Sequence, residues 1–173
     1  MSATRTRLAS LRWLGRPSLS AFAVLTPALL LALAAGGLGV SVYLTYTHWA
    51  DETVACAGFG SCELVQTSEY ATLGPVPVAL LGALMYAGLG GLALLTLWRR
   101  PSEPDWPILA FWAGALAGVA YSAYLTYVEL FVLEAICIWC VVSAVIVTAS
   151  WLVSTGYIMA LQRGAPEDLE HSA

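Results

Sequence analysis

Four apolar runs, each about 20 residues or a little longer, constrain the fold of this chain more than any other feature. They cover residues 21–46, 75–97, 107–127 and 136–158. A helix of about 20 apolar residues crosses the roughly 30 Å of hydrocarbon in a bilayer. Hydrophobic residues make up 60% of the chain and charged residues 10%, against about 45–50% and 25% in soluble domains. We therefore predict an all-α membrane protein built as a four-transmembrane-helix bundle.

The first run follows an arginine-rich segment, residues 1–20, and this raises the alternative of a cleaved signal peptide. The hydrophobic region of a signal peptide is about 7–15 residues long. The first run is longer and ends in Tyr43, Tyr46 and Trp49, aromatic residues typical of a membrane interface. We therefore favour a first transmembrane helix over a signal peptide.

The positive charges predict the orientation of the bundle. With four spans, all of them fall on one side of the membrane, and all are arginines: Arg5, Arg7, Arg12, Arg16, Arg99, Arg100 and Arg163. The positive-inside rule makes that side cytoplasmic. Both terminal tails, residues 1–20 and 159–173, are then cytoplasmic, and the connections 47–74 and 128–135 face outward.

Four cysteines lie in or beside the two outward-facing connections. Cys56 and Cys62 flank a glycine-containing segment, and Cys137 and Cys140 form a Cys-x-x-Cys motif at the start of the fourth span. This spacing is used by dithiol redox sites, in which a helix N-terminus lowers the thiol pKa. Glycines make the first pair mobile, so it can meet a partner and then the fixed pair, because thiol–disulfide exchange requires direct sulfur contact.

Four thiols have two other common uses in proteins. Exported thiols commonly form structural disulfides, and four thiolates can bind zinc. A Cys-x-x-Cys disulfide, however, closes too short a loop to restrict the unfolded chain much. A Cys-x5-Cys spacing is also wider than the usual two to four residues between zinc ligands. We predict no metal site, and keep a non-catalytic tetraspan protein with structural disulfides as the alternative.

The segment that follows Cys62, residues 63–73, predicts a short interfacial helix in the first outer loop. Leu64, Val65, Ser68, Ala71 and Thr72 fall on one helical face. Such a helix would cover the outer mouth of the bundle. The Ser68 hydroxyl then either points inward or serves as a local cap.

The order of these residues resembles the vitamin K epoxide reductase family, and its bacterial members in particular. The resemblance covers about residues 20–158. It rests on Cys56-x5-Cys62, Leu64-Val65-x-x-Ser68-x-Tyr70, Gly74-Pro75-Val76-Pro77 at the second span and Cys137-x-x-Cys140 at the fourth.

This resemblance implies a four-helix bundle in the bacterial cytoplasmic membrane that encloses a quinone of the menaquinone or ubiquinone type. Electrons would pass from the thiols of a partner to the loop pair, then to the Cys-x-x-Cys pair, and then to the quinone. By position, Cys62 would exchange with the partner and Cys56 with Cys137, while Cys140 would react with the quinone. Ser68 and Tyr70 match family positions near that site.

The resemblance also bears on the electron donor. Many bacterial members carry a fused thioredoxin-like domain, whereas about fifteen residues follow the fourth span here. We expect the donor to be a separate thioredoxin-fold (DsbA-like) protein on the outer face, and expect no nucleic acid partner. The predicted function is a thiol oxidoreductase that supports disulfide formation in secreted proteins. Reduction of vitamin K epoxide is an alternative that uses the same thiols.

Overall fold

The computed structural model describes residues 17–50, 54–56, 61–99 and 104–170. Long helices dominate it, and one short cap interrupts them between the first and second spans. In chain order the elements are α1 (Pro17–Trp49), α2 (Cys62–Gln66), a 3₁₀ turn (Glu69–Ala71), β1 (Thr72–Leu73), β2 (Val76–Pro77), α3 (Val78–Arg99), α4 (Trp106–Phe131) and α5 (Ile138–Glu170).

Four helices are long and apolar enough to cross a membrane. The apolar segments are Val24–Trp49 of α1, all of α3 and α4, and Ile138–Arg163 of α5. Helix α1 packs against α3 and α5, and α4 packs against the same two helices. The helices therefore form a closed ring in the order α1, α3, α4, α5. The predicted all-α membrane bundle is confirmed.

Small residues allow the helices to approach closely, as is common where lipid rather than water surrounds a bundle. Gly37 of α1 faces the ring of Tyr86 on α3, and a Cβ atom at Gly37 would overlap that ring. A Cβ atom at Gly118 of α4 would lie 2.8 Å from Val147 Cγ2 and 2.9 Å from Met85 Sδ. Both glycines therefore set the spacing between neighbouring helices.

The cap between α1 and α3 differs from the predicted single helix over residues 63–73. Helix α2 ends at Gln66, and the chain continues as the 3₁₀ turn and a two-stranded hairpin. Two side chains compete for the carbonyl groups at the helix end: Thr67 Oγ1 donates to Glu63 O at 2.8 Å and Ser68 Oγ to Val65 O at 2.7 Å. Such local bonds favour ending a helix.

The hairpin completes the cap and leads into α3. Strands β1 and β2 are antiparallel, with Thr72 opposite Pro77 and Leu73 opposite Val76. Gly74 in the turn has φ +65°, a conformation that glycine adopts without strain. Leu64, which was predicted to share one helical face with Val65 and Ser68, is 51% exposed, whereas Val65 and Ser68 are half-buried.

Helix ends also differ from the apolar runs in the sequence. Helix α4 continues to Phe131, so Glu129, which the sequence placed in the connection after the third run, belongs to its last turn. Helix α5 continues to Glu170, past the predicted end of the fourth span at residue 158. The predicted tail over residues 1–16, the glycines between Cys56 and Cys62, and Arg100 lie outside the described residues.

Candidate functional site

All four cysteines lie at one end of the bundle, where α1 and α4 end and α3 and α5 begin. Cys56 and Cys62 form a disulfide, with their Cα atoms 6.2 Å apart. Cys137 and Cys140 are free thiols. One disulfide and one pair of free thiols therefore share one end of the protein.

The two free thiols occupy different environments. Cys137 directly precedes α5 and is 0% exposed, whereas Cys140 lies one turn into the helix and is half-buried. The thiol of Cys140 donates a hydrogen bond to the Cys137 sulfur, and this bond lowers the pKa of Cys137 to about 7. Because the thiolate is the nucleophile in disulfide exchange, Cys137 is the more reactive of the two near neutral pH.

The segment before Cys56 is held by two aromatic side chains. Ala55 O accepts a hydrogen bond from Trp139 Nε1 at 3.0 Å, and Ala55 N donates one to the Tyr43 hydroxyl at 3.1 Å. The two aromatic rings also pack together, with centroids 5.1 Å apart. We call Tyr43 and Trp139 the aromatic clamp; it fixes the backbone next to Cys56 against the Cys-x-x-Cys turn.

A second bond holds the other end of the loop pair. Ser61 N donates to Ile136 O at 3.1 Å. Ser61 precedes Cys62 and Ile136 precedes Cys137, just as Ala55 and Trp139 precede the other two cysteines. The residue before each loop cysteine is thus bonded to the residue before a cysteine of the Cys-x-x-Cys pair, and the two pairs are joined at two points.

Glu129 supports the start of α5 from α4. Its side chain is 5% exposed, and Oε2 accepts a hydrogen bond from Cys137 N at 3.1 Å. Its backbone carbonyl accepts a bond from Ala135 N at 3.0 Å. This residue was missed as a site candidate, although a carboxylate within a membrane span is itself a signal of function.

An apolar cavity of about 470 Å³ lies between the helices below the cap. This volume is within the roughly 300–1,000 Å³ of small-molecule sites, which combine apolar walls with a few polar groups. Its walls are mostly aliphatic, and Cys140 is part of them whereas Cys137 is not. The polar side chains in its walls are Ser41, Gln66, Ser68, Tyr70, Tyr86, Tyr121, Ser122, Thr126, Glu129 and Ser143.

Both residues predicted to lie near a bound cofactor, Ser68 and Tyr70, line this cavity. The Ser68 hydroxyl donates to Val65 O, so its proton is used within the cap. Tyr86 is a further polar residue of the wall; its hydroxyl lies 2.9 Å from Ser143 O and 3.0 Å from Ser143 Oγ. The sequence did not identify Tyr86 as a cavity residue, because aromatic residues are frequent in every apolar run.

The fold and site together define a class of protein: a multi-pass membrane protein with a reduced dithiol set between an oxidised loop pair and an apolar cavity. The family model described as "Vitamin K epoxide reductase family" matches residues 28–155, and the chain belongs to this family. The resemblance inferred from the cysteine order is thereby confirmed. The protein has the family's general function, that of a membrane thiol oxidoreductase of the quinone-reducing kind.

Proposed function

We propose that this protein oxidises the thiols of a separate thioredoxin-fold protein and passes the electrons to a quinone, thereby supporting disulfide formation outside the cytoplasm. The observation that carries the proposal is the position of the reduced pair. Cys140 lines the cavity, while the residues before Cys137 and Cys140 are bonded to those before the loop cysteines. Family members generally act with thioredoxin-like partners and quinones.

The cycle begins at the loop pair. A thiolate of the partner attacks the Cys56–Cys62 disulfide at Cys62, and a second partner thiol completes the reduction, leaving the partner oxidised. The disulfide lies in a shallow open groove formed by Val54, Cys56, Ser61, Cys62, Glu63, Leu64 and Thr67. Cys62 is 1% exposed, so we propose that α2 moves aside when the partner reacts.

The second exchange is internal. The Cys56 thiolate attacks Cys137 of an oxidised Cys137–Cys140 pair, and Cys62 then attacks Cys56, which restores the loop disulfide and leaves two free thiols on the fixed pair. The described form, with Cys56–Cys62 bonded and the other pair reduced, corresponds to the state after this transfer. It is ready to give two electrons to the cavity.

The cavity suits a quinone ring, because its walls are largely apolar and its polar groups are few. A bound quinone of the menaquinone or ubiquinone type supplies an acceptor for two electrons and two protons. Cys140 is the sulfur in the cavity wall and therefore faces this acceptor, while Ser68, Tyr70 and Tyr86 line the same space. Helix α5 keeps Cys137 on the side of the loop pair.

We propose that the cysteine end faces outward in a bacterial cytoplasmic membrane and that both tails are cytoplasmic. Arg99 at the end of α3 and Arg163 near the end of the apolar part of α5 lie at the end opposite the cysteines. Positive residues are enriched on the cytoplasmic side, which supports this orientation. The arginines of the N-terminal segment are predicted to lie on the same side of the membrane, but they are outside the described residues.

A direct assay tests the proposal. Right-side-out vesicles containing the protein are given a reduced thioredoxin-fold protein on the outside and a soluble quinone, and quinol absorbance and partner thiols are followed together. We expect one quinol for each partner disulfide formed. Replacing the quinone by vitamin K epoxide compares the two acceptors. Absence of both quinol and a mixed disulfide with the partner would favour the non-catalytic alternative.

The aromatic clamp provides a second prediction. Trp139→Phe keeps an aromatic ring but removes the donor to Ala55 O, and we expect the internal transfer from the loop pair to slow by about 2- to 10-fold. This range corresponds to one net hydrogen bond of about 0.5–1.5 kcal/mol. Rapid quenching with a thiol reagent measures the rate. Trp151→Phe, three turns further along α5, is the matched control and should transfer at the wild-type rate.

A further inference from the structure

Glu129 has a position that the proposed electron path leaves unexplained. It is the only acidic residue within Val24–Trp49, Val78–Arg99, Trp106–Phe131 and Ile138–Arg163, all of which the structure describes. Its side chain is 5% exposed. Charged side chains inside a membrane are costly, and they generally serve a function such as proton transfer.

The carboxylate of Glu129 lies beside the reduced pair. It accepts the backbone N–H of Cys137 at 3.1 Å. It also lines the same cavity as Cys140. The titratable groups at the start of α5 are the thiols of Cys137 and Cys140, and the other titratable groups of the cavity wall are the phenols of Tyr70, Tyr86 and Tyr121.

We propose that Glu129 is the proton-transfer residue for Cys140. This inference rests on the proposed function, in which the fixed pair is oxidised by a quinone. Oxidation of two thiols forms one S–S bond, breaks two S–H bonds, and releases two electrons and two protons, all of which the quinone accepts. Glu129 takes the Cys140 proton as the S–H bond breaks and an O–H bond forms, and the electron pair stays on the sulfur. Glu129 then gives this proton up to the quinone, which restores the carboxylate.

The geometry favours a carboxylate at this position over any neutral hydrogen-bond acceptor. An amide could accept the Cys137 N–H equally well, so holding the start of α5 does not require an acid. Only a group that can bind and release a proton can take the Cys140 proton and then give it up. General acid–base catalysis of this kind typically contributes about 10²- to 10⁴-fold in rate.

The test uses the reverse proton transfer in protein that contains no quinone. In a Cys56→Ser/Cys62→Ser background, dithiothreitol reduces the oxidised Cys137–Cys140 pair by attack at Cys137, and the departing Cys140 sulfur needs a proton. We expect Glu129→Gln to slow this reduction by about 100-fold and to remove its solvent deuterium isotope effect. Glu129→Asp, which keeps the acid, should restore part of the rate.

Glu134→Gln is the control, because Glu134 lies in the connection directly after α4 and is exposed; it should leave the rate unchanged. Thermal unfolding of Glu129→Gln shows whether the fold is kept. A wild-type rate in Glu129→Gln would overturn the proposal, and so would a slower rate with the isotope effect unchanged, since that result indicates a positional role. The test contains no quinone, so its result can be interpreted even if the proposed quinone reduction does not occur.

Discussion

Replacing Cys140 by serine is expected to lower quinone reduction by a factor on the order of 1,000 or more, because the fixed pair then lacks the second sulfur needed to form a disulfide. Cys137 alone cannot give up two electrons by forming an intramolecular disulfide, because that bond needs two sulfurs. The variant should keep its fold, since serine is similar in size and can donate a hydrogen bond to Cys137 as the thiol does. Quinol absorbance with the reduced partner in excess measures the loss.

The same variant should reveal the order of the sulfurs. With Cys140 absent, Cys137 can still attack the loop disulfide, and we expect a Cys56–Cys137 disulfide to accumulate, detectable by mass spectrometry of non-reduced peptides. Cys137→Ser serves as the control: it should also stop turnover but should not form this species. Full turnover in Cys140→Ser would contradict the proposed role of Cys140, and a Cys62–Cys137 bond would reverse the proposed roles of the loop cysteines.

Removing the loop pair is the second prediction with a large effect. Cys56→Ser/Cys62→Ser should lower quinone reduction driven by a protein partner by about 100-fold or more, because no sulfur remains to relay electrons to the fixed pair. Dithiothreitol is a small dithiol that needs no relay, and we expect it to reduce Cys137–Cys140 directly in the double variant. We therefore expect quinone reduction driven by this small dithiol to continue.

The ratio of the two activities is the informative measurement, because a folding defect would lower both. The single variants Cys56→Ser and Cys62→Ser complete the set. With a partner whose single cysteine is activated as a mixed disulfide with thionitrobenzoate, the Cys62 thiol of Cys56→Ser should displace thionitrobenzoate and form a stable mixed disulfide with the partner, whereas Cys62→Ser should not. Equal activity with both donors in the double variant would show that the partner reaches the fixed pair without the loop.

The bundle itself was predictable from sequence, because membrane-spanning helices require long apolar runs and the chain has four of them. The ends of the helices were harder to predict. The third apolar run ends at Tyr127, and the sequence places Glu129 in a connection exposed to water; in the structure α4 continues and buries it. Hydrophobicity cannot show such a case, because the carboxylate accepts a hydrogen bond from Cys137 N, which helps to compensate for its burial.

The candidate site was predictable in its cysteines and less so in their surroundings. Spacing singled out Cys137 and Cys140, and the family motif pointed to Ser68 and Tyr70, both of which line the cavity. Trp139, by contrast, has the sequence context of an ordinary interfacial tryptophan. Its bond to Ala55 joins residues far apart in the chain, and no local pattern encodes a contact of that kind.

Full burial of Cys137 has a consequence for the survival of the enzyme in an oxidising environment. A thiolate with a pKa of about 7 is the form that peroxides convert to sulfenic acid and beyond, but this damage also requires access to the sulfur. Cys137 is 0% exposed, so dissolved peroxide and small adventitious thiols do not reach it in this form of the protein. Burial thus protects the more reactive sulfur of the fixed pair from irreversible oxidation between exchanges.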